Sequence, residues 1–199
     1  MTVPDSVKPT ISGLTASRIN NNVPSGWGIY LQNHSGVTLT ATGATGAYGS
    51  EISSYTFTEG YSNTQIGNVA TIPTLTSSGT ITFSVYATDT RGRKSNTASV
   101  SISVTPYSTP SIASLQAFRC NSAGSSNDSG TYINAQYTAT YNSIGGKNSI
   151  TATIYYQRTG ASAWTTGKTS AAQNTAYVIG AGGVSTEYSY QVKVVISDA

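Results

Sequence analysis

Pro9-Thr-Ile11-Ser-Gly-Leu14-Thr-Ala16-Ser-Arg18 aligns without a gap on Pro110-Ser-Ile112-Ala-Ser-Leu115-Gln-Ala117-Phe-Arg119, about 100 residues further along the chain, the size of one small domain. Ile81-Thr-Phe83-Ser-Val85-Tyr-Ala87-Thr-Asp89 is matched in the same way by Tyr190-Gln-Val192-Lys-Val194-Val-Ile196-Ser-Asp198, at a slightly larger offset. The chain therefore reads as two copies of one module, the second carrying an insertion. Both matched pairs alternate apolar and polar residues, the period of a half-buried strand, and no segment shows a helical stripe. The fold class is all-β.

The repeat sets the boundaries. The alternating run Ala98 to Val104 closes the first module, and Pro106-Tyr-Ser-Thr-Pro110 opens the second with two prolines that cannot donate to a sheet ladder. We read residues 7–106 as one sandwich and 107–199 as a second, joined by a stiff junction. After Asp89 the first copy continues through Arg91-Gly92-Arg93-Lys94 into a last strand. The second copy has one residue after Asp198, so module two is expected to be cut short before its last strand, as a segment of a longer protein.

Composition agrees with this reading. Fourteen tyrosines against three phenylalanines and two tryptophans, with abundant Thr and Val, suit pleated surfaces, and 20 glycines supply turns. The strands expected in module one are Thr10–Arg18, Gly28–Gln32, Val37–Thr42, Ile52–Glu59, Val69–Ile72, Thr80–Thr88 and Thr97–Val104. Those in module two are Ser111–Arg119, Tyr132–Tyr141, Ile150–Arg158, Trp164–Lys168, Thr175–Ile179 and Tyr188–Ile196. Short strands at this spacing predict a sandwich of about seven strands per 100 residues. Alternation places Ile11, Leu14, Ile29, Leu31, Val37, Leu39, Tyr55, Phe57, Leu75, Ile81, Phe83, Val85, Val100 and Ile102 inside module one. In module two it places Ile112, Leu115, Tyr137, Ile154, Tyr156, Trp164, Val178, Tyr190, Val192 and Val194 inside.

Several chemistries are excluded as expectations. One cysteine, Cys120, and one histidine, His34, leave no disulfide, no cysteine-based zinc cluster and no His-pair metal site. A net charge of +3 comes from scattered residues, so no nucleic-acid partner is expected. No apolar run is long enough to span a bilayer, and Met1 to Asp5 lacks a signal-peptide pattern, so no membrane insertion is expected. The seven carboxylates form no evident pair of the kind a glycosidase needs. We expect no catalytic residues, no cofactor, no metal and no enzyme.

Four side chains remain as candidates for ligand binding. Arg91 and Arg93 lie in Asp89-Thr-Arg-Gly-Arg, a pattern that a tight turn explains and that an exposed cationic tip for an anionic wall polymer or a neighbouring subunit also fits. Trp27 shares an alternation phase with Ile29 and Leu31, which suits core or rim packing or a sugar-stacking platform, and Tyr30 points the other way, toward solvent.

Two patterns in module two resemble immunoglobulin-like or fibronectin type III-like sandwiches. Ile154-Tyr155-Tyr156 with Ala163-Trp164 is similar to their central hairpin, and Thr186-Glu187-Tyr188-Ser-Tyr190 resembles their tyrosine corner, with Tyr188 as the bonding residue. A resemblance covering nearly the whole chain rests on Lys8-Pro9, Pro24-Ser-Gly-Trp27-Gly28-Ile-Tyr30-Leu-Gln32, Gly46-Ala47-Tyr48-Gly49, Asp89-Thr-Arg91-Gly92-Arg93 and Arg119-Cys120. It looks like the tandem modules of siphophage minor structural proteins of the tail and tail tip. That resemblance implies a virion component made in the host cytoplasm, a tail spacer and host-surface adhesion module. Its implied partners are other tail proteins and bacterial cell-wall polysaccharide. The alternative is a bacterial cell-surface adhesin or carbohydrate-binding module.

Overall fold

A computed structural model describes residues 4–199; Met1, Thr2 and Val3, on which part of the signal-peptide reading falls, lie outside the described residues. The chain divides into two compact units, Met1–Tyr107 and Ser108–Ala199.

Unit 1 contains β1 (Gly13–Asn20), β2 (Tyr30–Leu31), β3 (Ser35–Thr42), β4 (Ile52–Thr58), β5 (Asn63–Gln65), β6 (Val69–Ile72), β7 (Gly79–Asp89) and β8 (Ala98–Thr105). They form two layers, one in the order β1-β3-β6 and one in the order β2-β8-β7-β4-β5. Their inner faces enclose Leu14, Val37, Leu39, Phe57, Phe83, Val85, Ile102 and Val104 in one apolar cluster. Residues of one face alternate with those of the other along each strand, so these positions follow from the sequence period alone.

Unit 2 contains β9 (Ser111–Cys120), β10 (Tyr132–Thr140), β11 (Ile150–Arg158), β12 (Thr165–Lys168), β13 (Tyr177–Ile179) and β14 (Tyr190–Asp198). Its layers run β13-β10-β9 and β12-β11-β14. Strand for strand this is unit 1 without β2 and β8: β9 stands for β1, β10 for β3, β11 for β4, β12 for β5, β13 for β6 and β14 for β7. Its core gathers Ile133, Ala135, Tyr137, Ala152, Ile154, Ile179 and Val184. Among the described residues, no strand pairs with the edge of β14 that faces away from β11.

The structure departs from the sequence reading at identifiable places. The expected strand Gly28–Gln32 shrinks to Tyr30–Leu31, which pairs in parallel with Val104–Thr105. Trp27 ends a 3₁₀ turn, and Gly28 follows at φ 65°, a left-handed conformation that breaks the extended path. The strand Asn63–Gln65 carries no apolar alternation and was invisible to a pattern search.

Val178 faces outward, because Tyr177 and Ile179 hold the inward phase of β13. Ile112 and Leu115 are 36 % and 37 % exposed, whereas their repeat counterparts Ile11 and Leu14 are 4 % and 7 % exposed. In unit 1, β8 approaches β1; in unit 2, β14 approaches β9 instead and, among the described residues, its outer edge is paired with no further strand.

Candidate functional site

The Asp89–Arg93 turn is the most tightly bonded polar cluster in unit 1. Asp89 ends β7 with its side chain buried, and its Oδ1 accepts hydrogen bonds from the backbone N–H groups of Arg91 (3.0 Å) and Arg93 (2.9 Å). Its Oδ2 accepts from Ser50 Oγ (3.0 Å) and from Arg93 Nε (2.8 Å) and Nη2. Burial alone pushes the Asp89 carboxyl up, but the hydrogen bonds from Arg93, Ser50 and Arg91 outweigh it and hold the group well below the usual carboxylate range.

Arg93 is therefore an internal ion-pair partner and not an exposed contact. Its guanidinium also reaches Ser50 Oγ and the Ala47 carbonyl. Arg91 is exposed but donates to the Tyr48 carbonyl at 2.8 Å. Both arginines fasten the 47–50 turn to the β7–β8 turn, and the cationic tip expected from the sequence reduces to Arg91.

Tyr30 is likewise half-buried and packs on the core of unit 1; burial pushes its hydroxyl up, and the charge of Arg18 draws it part of the way back. Trp27 is half-exposed on the 3₁₀ turn and lies outside the apolar cluster. Tyr30 is in register with Val104, at the far end of β8 from the Asp89–Arg93 turn. An eight-residue strand rises roughly 25 Å, so the two candidate pairs occupy opposite ends of one sandwich and form no common site.

Sequence reasoning missed a second cluster, on the outer face of unit 2. Tyr155 and Lys193 are cross-strand neighbours on β11 and β14. Lys193 Nζ sits 4.3 Å from the centre of the Trp164 ring and 5.3 Å from that of Tyr155, close enough for attraction to both ring faces. Trp164 thus belongs to this face and not to the core. The available signal was phase: Ile154 and Val194 point inward, so Tyr155 and Lys193 point outward together.

The corner of unit 2 also differs from expectation. Tyr190, not Tyr188, bonds back to the preceding loop, its hydroxyl accepting from the Ser185 N–H at 3.1 Å. Tyr188 is exposed, with the Arg158 guanidinium 4.5 Å from its ring centre. Arg119 donates to the carbonyls of Gly130 (3.0 Å) and Ser185 (2.8 Å), spending a cation on loop closure.

Cys120 is fully buried, and burial pushes its thiol up, so thiolate is scarce at neutral pH. We expect Cys120 to react with a thiol reagent such as DTNB only after unfolding. Rapid labelling of the native chain would show that the β9 end opens. Among the described residues, no three His, Cys, Asp or Glu side chains group as metal ligands.

The fold and these surfaces define a tandem pair of immunoglobulin-like, fibronectin III-like β-sandwiches. The chain belongs to the family described as "Siphovirus protein of unknown function (DUF859)", whose model matches residues 1–199. No curated protein matches the chain.

Among solved structures, it is similar to carbohydrate-binding modules of a β-sandwich superfamily, at 13 % identity over 98 % of this chain and 96 % of that one, with a TM-score of 0.39. It is also similar to the FN1–FN3 domains of chicken CNTN1, at 15 % identity over 94 % of this chain and 61 % of that one, with a TM-score of 0.39. The three N-terminal domains of the bacteriophage RB49 outer capsid protein Hoc share 19 % identity over 81 % of this chain and 52 % of that one, with a TM-score of 0.38.

Proposed function

We propose that this siphovirus protein is a non-catalytic spacer of the phage tail or tail tip that also contributes to adhesion on the host surface. The observation that carries the spacer reading is how its polar chemistry is used. Asp89, Arg93, Arg119 and Asn148 are spent on closing turns and fastening strand ends. Glu59 accepts from Ser84, and Asp198 from Asn148. Such units extend or present a neighbouring element, and their partners would be other tail proteins.

The adhesion part is supported by Tyr155, Trp164 and Lys193, where aromatic faces and an ammonium group share one sheet surface suited to an anionic wall polysaccharide.

Immunogold labelling of virions with antibody against this chain should decorate the tail, and label absent from the particle would overturn the spacer reading. Adhesion is tested separately with purified chain and isolated bacterial cell wall. We expect saturable binding that weakens about tenfold in Trp164→Ala. Equal binding by that variant would move adhesion elsewhere, and no saturable binding would remove it.

A further inference from the structure

One end of unit 1 lacks a ring that the corresponding end of unit 2 contains, and the space left there has the size of that ring. The repeat sets Val85 on Val194, and the registers Phe57 with Val85 and Ile154 with Val194 then set Phe57 on Ile154 and Glu59 on Tyr156. In unit 2, β11 runs on through Tyr156, whose ring packs against the core with its centre 6.4 Å from that of Tyr190. In unit 1, β4 stops at Thr58, and Glu59 and Gly60 turn at φ 31° and 66°. Glu59 leaves for the outer face, where Ser84, out of phase with inward Phe83 and Val85, donates to its Oε2 at 2.8 Å. The counterpart of Tyr190 is Ile81, which carries no ring, and Tyr61 lies edge-on against Phe57 at 6.3 Å.

What remains is a cavity of about 160 Å³. Ile72, Leu75, Ile81 and Phe83 supply an apolar wall, with Leu75 and Phe83 buried. The exposed Thr74, Thr76 and Ser77 supply hydroxyls at the mouth, and among the described residues no charged side chain lines the space. Gly60 closes one side where a Cβ would stand 2.8 Å from the Thr82 carbonyl oxygen and 3.0 Å from the Phe83 ring, so the backbone itself forms that wall. The loop beside the mouth is fastened before any ligand arrives. Asn21 Nδ2 donates to the Pro73 carbonyl, the Leu75 N–H donates to the Ser35 carbonyl, the Asn33 N–H donates to the Leu75 carbonyl, and Gln32 Nε2 donates to the Thr76 carbonyl.

We propose that this cavity is a binding site for one aromatic ring, the phenylalanine side chain of a loop on a partner polypeptide. A cavity of about 150 Å³ walled by Leu, Ile and Phe takes a benzene ring. A side chain arriving from outside enters ring first, so its far edge meets only hydrocarbon. Phenylalanine fits that geometry, whereas tyrosine would bury its hydroxyl without a partner. A hexose would turn several hydroxyls onto the same wall, and an anion would find no cation. The backbone on either side of the phenylalanine meets Thr74, Thr76 and Ser77, whose hydroxyls both donate and accept.

The test titrates N-acetylphenylalanine amide into the intact chain and follows backbone amide shifts by NMR. We expect saturable shifts at Gly60, Leu75, Thr76 and Ile81, with a Kd of about 1 mM for so small a probe. N-acetyltyrosine amide should bind about tenfold more weakly, and N-acetylalanine amide and methyl glucoside should leave these shifts unchanged. Ile81→Tyr places in unit 1 the residue that unit 2 carries at the same position. It should fill the cavity, leave the circular dichroism unchanged and weaken binding at least about tenfold. Should that variant fail to fold, the comparison of phenylalanine and tyrosine amides on the wild-type chain still decides.

No saturation, shifts confined to other residues, equal binding of the tyrosine amide, or equal binding by folded Ile81→Tyr would overturn the assignment. Methyl glucoside binding as tightly would make the cavity a sugar site instead. A dimer in sedimentation that is lost in Phe118→Ala and dispersed by the phenylalanine amide would give the cavity to a second copy of this chain, and would overturn the partner assigned here.

Discussion

Asp89→Ala lowers the unfolding midpoint of unit 1 by more than about 10 °C, because it strands the Arg93 guanidinium among groups that no longer compensate it. The carboxylate accepts five hydrogen bonds from three residues, two of them from backbone N–H groups that only this side chain reaches within the turn. Each unit holds one tryptophan, Trp27 in unit 1 and Trp164 in unit 2, so a Trp164→Phe background makes fluorescence a reporter of unit 1 alone.

Asp89→Asn keeps the shape of the side chain and removes its charge, and it should cost less. It also carries a pH signature. The folded carboxyl titrates below its ordinary value of 3.8, so its contribution is complete above that value and is lost as pH falls through it toward the lower folded value. Wild type should therefore lose unit 1 stability more steeply than Asp89→Asn below about pH 4. Equal acid slopes would show that the ion pair contributes nothing, and a midpoint shift in Asp89→Ala of under about 3 °C would show that the turn is held by its backbone alone.

The second large effect lies in unit 2. Tyr137 is 1 % exposed, and its hydroxyl donates to the Ala171 carbonyl at 2.8 Å. Tyr137→Ala empties the middle of the smaller core, at a cost of about 3–5 kcal/mol. It also leaves the Ala171 carbonyl without its donor, at a further cost of about 1–3 kcal/mol. A domain of this size has only about 5–15 kcal/mol in total, so unit 2 should be unfolded or nearly so at 37 °C.

Tyr137→Phe keeps the ring and should cost about 1–3 kcal/mol. Urea titration read by Trp164 fluorescence in a Trp27→Phe background separates the two variants. If Phe and Ala cost the same, the hydroxyl and not the ring holds the core. If Ala costs under about 1 kcal/mol, the core of unit 2 collapses to refill the space.

Much of the fold was legible because its signal is local. Period two along β3, β4, β7, β8, β10 and β11 names the inward residues directly, and the duplicated segments locate both modules before any pairing is known. The errors follow the same logic. Trp27 and Val178 were misplaced because a left-handed glycine or one extra branched residue shifts the phase without changing the composition. Tyr188 and Tyr190 are two residues apart on one phase, so either satisfied the corner pattern, and only the loop ending at Ser185 selects Tyr190. The binding residues were least legible. An arginine in a turn reads the same whether it faces solvent or a carboxylate, and Arg93 was decided by Ser50 and Ala47, more than forty residues away along the chain.

The amino-acid order by itself determined most of the strands, the two copies, the layered architecture and the scarcity of reactive groups, because each rests on alternation, repetition or counting within a few neighbours. Tertiary structure alone decided which equivalent residues are covered. Ile11 and Ile112 occupy the same place in the repeat, yet one is 4 % and the other 36 % exposed. Burial belongs to whatever strand lies opposite, and in unit 1 that strand is β8, more than eighty residues along the chain.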